Sequence, residues 1–230
     1  MRGCTPAPFA RSITLNNQHA IYKDDFLTKN MSKVRRISIF SEWDQSVPSK
    51  NIKSVCVYCG SRMGNKEHFK TLAEETGELI AAQGMSLVYG AGSIGLMGTV
   101  ARAARDKGAD VIGIIPEHLD AVEITQDGLS ELHITDDMHE RKKMMFDRSD
   151  AFIVLPGGLG TLDETMEMMT WAQLSLHKKP IVLLNFNDFW TPLVELIGHV
   201  VDGGFASQEN ADLLTVVTTA EEAVQYLADY

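Results

Sequence analysis

From Ser54 onward, short apolar runs alternate with stretches of helical periodicity. Ser54–Cys59 (SVCVYC) is β-branched and apolar and stops at Gly60, which predicts a buried strand. Over 66–83, Leu72, Leu79 and Ile80 recur at helical spacing, and Gly84 supplies a stop. Met85–Tyr89 predicts a second strand, followed by a glycine turn and a helix to about Lys107 that Gly108 closes. Val111–Ile115 predicts a third strand, ended by Pro116. Residues 117–137 show no clear period and predict a loop with a short strand near Glu131–Ile134. A helix over about 138–149 then leads into Ala151–Leu155 (AFIVL), the most apolar strand of the chain. After a second glycine turn come a helix to about Leu176, a strand at Ile181–Leu184 and a helix over about 189–202. A short strand at Leu214–Val217 and a helix over 220–229 complete the pattern.

Strands that alternate with helices and are apolar on both faces belong in a parallel sheet covered on both sides. The predicted fold class is therefore α/β, a doubly wound, mostly parallel, Rossmann-like sheet in a single domain over residues 51–230. In such sheets ligands sit at the carboxyl ends of the strands, beside the reversal of strand order. Residues 1–50 lie outside the pattern and read as a mobile basic extension, with Met31 as an alternative start.

Charge follows the same division. The 230 residues carry a net charge of −10. Residues 1–50 hold eight basic and four acidic side chains, net +4, which leaves −14 on the remainder. An acidic domain is a poor general binder of nucleic acid, because neutralising phosphates takes a clustered basic surface. No apolar stretch approaches the ~18–20 residues that span a bilayer, so no membrane partner is expected. The three cysteines, Cys4, Cys56 and Cys59, form no even framework and point to a reducing, cytoplasmic setting. Cys56 and Cys59 have redox spacing, but three residues apart on one strand they face opposite sides.

Two glycine turns are candidates for chemistry. Gly90-x-Gly92-x-x-Gly95 has the letters of a dinucleotide fingerprint, yet it follows the second strand and lacks the acidic residue ~20 positions on. It reads as a tight turn with close helix–strand packing, or as amides lining part of a smaller nucleotide site. The second turn, Leu155-Pro156-Gly157-Gly158-Leu159-Gly160-Thr161-Leu162-Asp163-Glu164, joins a buried strand to a helix. Its glycines let backbone approach a ligand, and the helix N-terminus offers N–H groups and a positive dipole end suited to one phosphate. No Lys-Ser/Thr follows the last glycine, so it is not a nucleoside-triphosphate loop. Thr161-x-x-Glu164 also fits a capping box. The competing reading puts the Glu164 carboxylate opposite a developing oxocarbenium ion.

Pro156–Glu164 reads Pro-Gly-Gly-x-Gly-Thr-x-x-Glu, and Met138-His139-Glu140-Arg141-Lys142 supplies an Arg-Lys pair before the preceding strand. With Val57–Ser61 and Tyr89–Gly98 in support, the chain over residues 53–230 resembles the Lonely Guy family. These are cytokinin riboside 5′-monophosphate phosphoribohydrolases, long labelled lysine decarboxylases. The family more often has Gly where Ala91 stands, a small-for-small change.

The resemblance implies hydrolysis of the N-glycosidic bond of a purine nucleoside 5′-monophosphate, without metal or organic cofactor, by a homodimer. It assigns catalysis to Arg141 and Glu164. Substrate binding falls to Glu123, Arg141, Lys142, Gly157, Gly158, Leu159, Gly160, Thr161, Leu162, Asp163, Glu164 and Thr170. Arg141 and Lys142 are expected to keep Glu164 ionised, since nearby cations lower a carboxylate pKa. Against this stands a plainer reading of Arg141-Lys142-Lys143 as a solvated basic helix start. Met144, Met145, Met166, Met168, Met169 and Trp171 form an apolar surplus, mostly core and in part a subunit contact. A rival reading is a non-catalytic nucleotide or molybdopterin-carrier module using the same phosphate turn, although a carrier should lack the Arg141/Glu164 pairing. Decarboxylation through pyridoxal phosphate is rejected, because no lysine has a recognisable Schiff-base setting.

Overall fold

The structure is a computed structural model that describes residues 52–120 and 126–230. The basic extension and Glu123 lie outside these residues. In chain order the elements are β1 (Ser54–Tyr58), α1 (His68–Ala82), β2 (Ser86–Tyr89), α2 (Gly95–Asp106), β3 (Val111–Pro116) and α3 (Glu117–Asp120). Then follow β4 (Glu131–Thr135), α4 (Met138–Asp147), β5 (Ala151–Val154), α5 (Leu159–Gln173) and β6 (Ile181–Leu184). A 3₁₀ turn (Phe186–Asp188), α6 (Thr191–Asp202), α7 (Gln208–Ala211), β7 (Leu214–Val217) and α8 (Ala220–Ala228) close the series.

All seven strands form one sheet in the order β4-β3-β2-β1-β5-β6-β7, and every pairing is parallel. Strand order reverses between β1 and β5, the position at which an open α/β sheet presents its ligand crevice. That central pair is locked at its amino end by Asp150, whose Oδ2 accepts from the Lys53 and Ser54 amides at 3.0 and 3.1 Å.

Two-residue periodicity sorts the strands other than edge strand β4 between two cores. Val55, Val57, Leu87, Tyr89, Ile153 and Leu155 pack under α1, α2 and α8. Cys56, Tyr58, Val88, Ile114, Phe152 and Val154 face the opposite side, with Met145 of α4, Met168 of α5 and Leu193 of α6. Cys56 and Cys59 thus fall in different cores, as strand geometry requires.

The predicted helix stops are realised in the backbone. Gly84 (φ +69°) and Gly108 (φ +89°) adopt the left-handed conformation, and their amides return to Ala81 and Arg105 at 2.9 and 2.8 Å. The differences from expectation are small. The sheet is parallel throughout rather than mostly so, and the short helices α3 and α7 come from segments without a period. Each is four residues long, too short for a periodic signal to develop.

Candidate active site

The carboxyl ends of β1, β2, β3 and β5 converge around α4 and α5. Asp137 caps α4 through Oδ1, which accepts from the His139 and Glu140 amides at 2.7 and 2.9 Å. This cap fixes the start of the helix and sends Arg141, one turn in, beneath the sheet ends. Arg141 is only 7% exposed. Its Nε donates to the Ile114 carbonyl at 3.1 Å and its Nη2 to the Gly90 carbonyl at 3.0 Å. The reading of Arg141 as part of a solvated basic start is therefore excluded. It holds only for Lys143, which is exposed and reaches Asp147 at 2.6 Å.

Lys142 is also largely covered. Its ammonium lies 3.2 Å from Asp163 Oδ2 and 3.1 Å from Glu167 Oε1, and 13% of its side chain is exposed. Burial alone would depress its pKa, but hydrogen bonds to Glu167 and Asp163 outweigh that and raise it. Lys142 is thus firmly cationic, and it ties α4 to α5.

Helix α5 begins directly on the second glycine turn. Its N-cap is Gly158, and no side chain caps it. Thr161 is consequently a first-turn residue, and the capping-box reading of Thr161 and Glu164 fails because both already lie inside the helix. Thr161 is instead buried against Gly157, where an added Cβ would stand 2.1 Å from Thr161 Oγ1. Gly158 and Gly160 are exposed, and a Cβ on either would meet nothing within 4 Å. Leu159 between them is 86% exposed, while Leu162 turns inward against the α4–α6 core.

Glu164 is half-buried on the next turn. Burial pushes its pKa up to about 7, with Asp163 and Glu167 adding to the rise, against the opposing charges of Arg141 and Lys142. The expectation that the two cations keep Glu164 firmly ionised is therefore corrected: loss of hydration outweighs their attraction. The same surroundings settle the cysteines. Burial first, then the Glu164 charge, raises the thiols of Cys56 and Cys59 far above their ordinary range, so neither is a nucleophilic thiolate.

Among the described residues, no group of three His, Cys, Asp or Glu could hold a metal ion, and no helix is long and apolar enough to cross a membrane. Thr170 is exposed and donates to the Met166 carbonyl at 2.7 Å. At a rise of about 1.5 Å per residue it stands roughly 13 Å along α5 from Thr161. A nucleotide would have to lie along the helix to meet both. Glu167, one turn beyond Glu164, carried no signal in the sequence, yet it shares the Lys142 ammonium with Asp163. Of the apolar surplus expected mostly in the core, Met145, Met168 and Met169 are buried, and Met144, Met166 and Trp171 pack against the same core.

A family model described as "Possible lysine decarboxylase" matches residues 97–227. The cytokinin riboside 5′-monophosphate phosphoribohydrolase LOG3 of Arabidopsis thaliana is 42% identical over 186 residues, 81% of this chain and 86% of that protein. The chain belongs to the LOG family. A similarly named LOG-family protein of Oryza sativa subsp. japonica is 44% identical over 77% of this chain and 74% of its own length. A LOG-family relative in Rhodococcoides fascians is 45% identical over 75% and 87%.

Among solved structures, the protein TM1055 superposes with a TM-score of 0.60 at 26% identity, covering 77% of this chain and 99% of its own. The molybdenum cofactor binding protein of Rippkaea orientalis gives 0.58 at 21% identity, covering 78% and 97%. At that identity the likeness extends to the fold alone.

Proposed function

We propose that this LOG-family protein is a hydrolase that adds water across the N-glycosidic bond of purine nucleoside 5′-monophosphates, such as cytokinin riboside monophosphates and AMP. The products are the free base and ribose 5-phosphate. The observation that carries the reading is the pairing, on one helix, of an open glycine turn with a half-buried carboxylate flanked by two cations. The curated relatives named for this reaction support it.

In this reading the 5′-phosphate sits on the amides of the Gly157–Thr161 turn and the positive end of α5. A fixed phosphate orients the ribose, so binding energy is spent on placing the anomeric carbon rather than on tightness alone. As the bond to the base lengthens, positive charge grows on the ribose, and ionised Glu164 stabilises it or takes a proton from the attacking water. A carboxylate with a pKa near 7 suits proton transfer at neutral pH better than one at its ordinary value. Arg141, held by the Ile114 and Gly90 carbonyls, keeps positive charge at the crevice. The net −14 of residues 51–230 would otherwise repel an anionic substrate. Leu159, Leu162 and Asp163 line the turn, and Glu123 and Thr170 complete the substrate contacts by family resemblance. A cytoplasmic homodimer needing no cofactor is the setting proposed for it.

The test is incubation of purified protein with AMP and with cytokinin riboside monophosphates, following free base and ribose 5-phosphate. Glu164→Gln should reduce turnover by about 10²–10⁴-fold, the range for a positioned acid–base group, while nucleotide still binds. A fully active Glu164→Gln protein refutes the mechanism. Tight binding of AMP by wild type without cleavage points instead to a carrier.

A further inference from the structure

Glu167 has no role in the scheme above, yet its setting is costly. It lies three residues beyond Glu164, on the same side of α5. Its Oε1 holds the Lys142 ammonium at 3.1 Å, but its Oε2 is buried with no hydrogen-bond partner among the described residues. An unpaired buried carboxylate oxygen is destabilising, and such groups persist where something other than stability keeps them. Asp163, the other partner of Lys142, is 62% exposed against 22% for Glu167. Screening therefore leaves Glu167 as the stronger hold on the lysine.

We propose that Glu167 is a positioning residue of this site, which holds Lys142 across the α4–α5 gap so that its ammonium stays beside Glu164 and the phosphate turn. The groups that face Glu164 define what the arrangement does. From α4 come Arg141 and Lys142, from α5 Asp163 and Glu167, and from β1 and the residue after it Cys56, Tyr58 and Cys59. Arg141 is fixed by backbone carbonyls, and the last three groups stay neutral because burial raises their pKa values. Lys142 is thus the one cation among them whose position depends on other side chains. Glu167 acts on Glu164 in two opposite ways. As a like charge it raises the Glu164 pKa, and as the anchor of Lys142 it keeps a cation near and lowers it. The Lys142 charge lowers the Glu164 pKa and the Glu167 charge raises it; because Glu167 holds that ammonium at 3.1 Å, its removal shifts Glu164 upward to the extent that the cation is released.

This inference rests on the hydrolase reading, and the experiment separates the two. In isosteric Glu167→Gln, the limb of the kcat profile that reports ionisation of Glu164 should move upward by about half to one pH unit, and KM for the nucleotide should rise several-fold. Glu167→Asp, which keeps the charge, should leave the limb near its wild-type position. In a Lys142→Met background, Glu167→Gln should no longer move it upward. A limb that stays in place, or moves downward, overturns the proposal, since Glu167 would then be inert or only a like charge. Should wild type cleave no nucleotide, the hydrolase reading falls. Titration of the Glu164 carboxyl by ¹³C NMR, with Glu164→Gln to assign the signal, then still decides the role of Glu167 by the same shifts.

Discussion

The two glycine turns share a vocabulary and have opposite uses. In the first, Gly90, Gly92 and Gly95 are all buried. A Cβ on Gly90 would stand 2.0 Å from Arg141 Nη2, and one on Gly95 would stand 2.3 Å from the Ser61 carbonyl carbon. The first amides of α2 are consumed as well, since Leu96 and Met97 donate to the Gly60 carbonyl at 3.0 and 3.3 Å. In the second turn Gly158 and Gly160 open onto solvent, and no side chain caps α5. Glycine in the first turn makes room for the protein itself, and glycine in the second leaves the helix start open to solvent, where the phosphate is proposed to sit. Ala91, in the closed turn, is not the neutral replacement for Gly that its size suggests. Its φ is +63°, a conformation that costs an L-residue about 1–2 kcal/mol.

Gly90→Ala should break the closed turn most severely. Its backbone has no positive φ, so alanine is conformationally acceptable there and the penalty is steric. The new methyl would occupy the space of the Arg141 guanidinium and displace it from the Gly90 carbonyl. Losing a hydrogen bond from a buried charged group costs about 1.5–3 kcal/mol. Urea unfolding should read a loss of that size, and turnover should fall about 10²-fold or more if Arg141 acts as proposed, since misplaced catalytic groups lose rate at that scale. Unchanged turnover would mean that the arginine is not needed where it sits.

The open turn should carry a stability cost that the closed one lacks. The Glu164 pKa rises from 4.5 to about 7 on folding, so between these values the native state holds a proton that the unfolded chain has lost. Stability therefore falls as pH rises through that window. With the partial exposure of Glu164 discounted, the penalty above pH 7 is about 1–3 kcal/mol. Glu164→Gln should raise the melting temperature at pH 8 and leave it unchanged near pH 4. An equal gain at both pH values would show that ionisation is not its source.

Much of this contrast was legible in the sequence, for a physical reason. Six of the seven strands and the six longer helices follow from apolar patterning, because each must bury a face against the sheet or its covering layer; β4 is the exception, an edge strand left largely exposed. The second glycine turn and the helix it opens were equally plain, since their elements are contiguous. What could not be read was long-range. Gly90 and Arg141 are 51 residues apart and meet only because β2 ends above α4. Arg141, Lys142 and Lys143 look alike as a basic run, and only the tertiary contacts of α4 bury two and expose the third. The raised pKa of Glu164 likewise depends on burial against neighbouring elements, which the local Thr-x-x-Glu spacing disguised as a helix cap.

The gentlest substitution distinguishes the turns by sign. Gly160 is the second residue of α5, exposed, and an added Cβ would touch nothing. Alanine at such a position improves helix propensity and removes freedom from the unfolded chain, stabilising by about 0.5–1 kcal/mol. However, Cα–Cβ bonds tilt toward the helix N-terminus, so the methyl leans toward the end where the phosphate is proposed to sit. Gly160→Ala should therefore raise the melting temperature slightly while weakening AMP binding by about tenfold, equivalent to ~1.4 kcal/mol. Gly90→Ala lowers stability and activity together, whereas Gly160→Ala should separate them. Calorimetric titration of AMP into both proteins, beside their melting curves, checks this. If Gly160→Ala bound AMP as wild type does, the space over the second turn would not be where the phosphate lies.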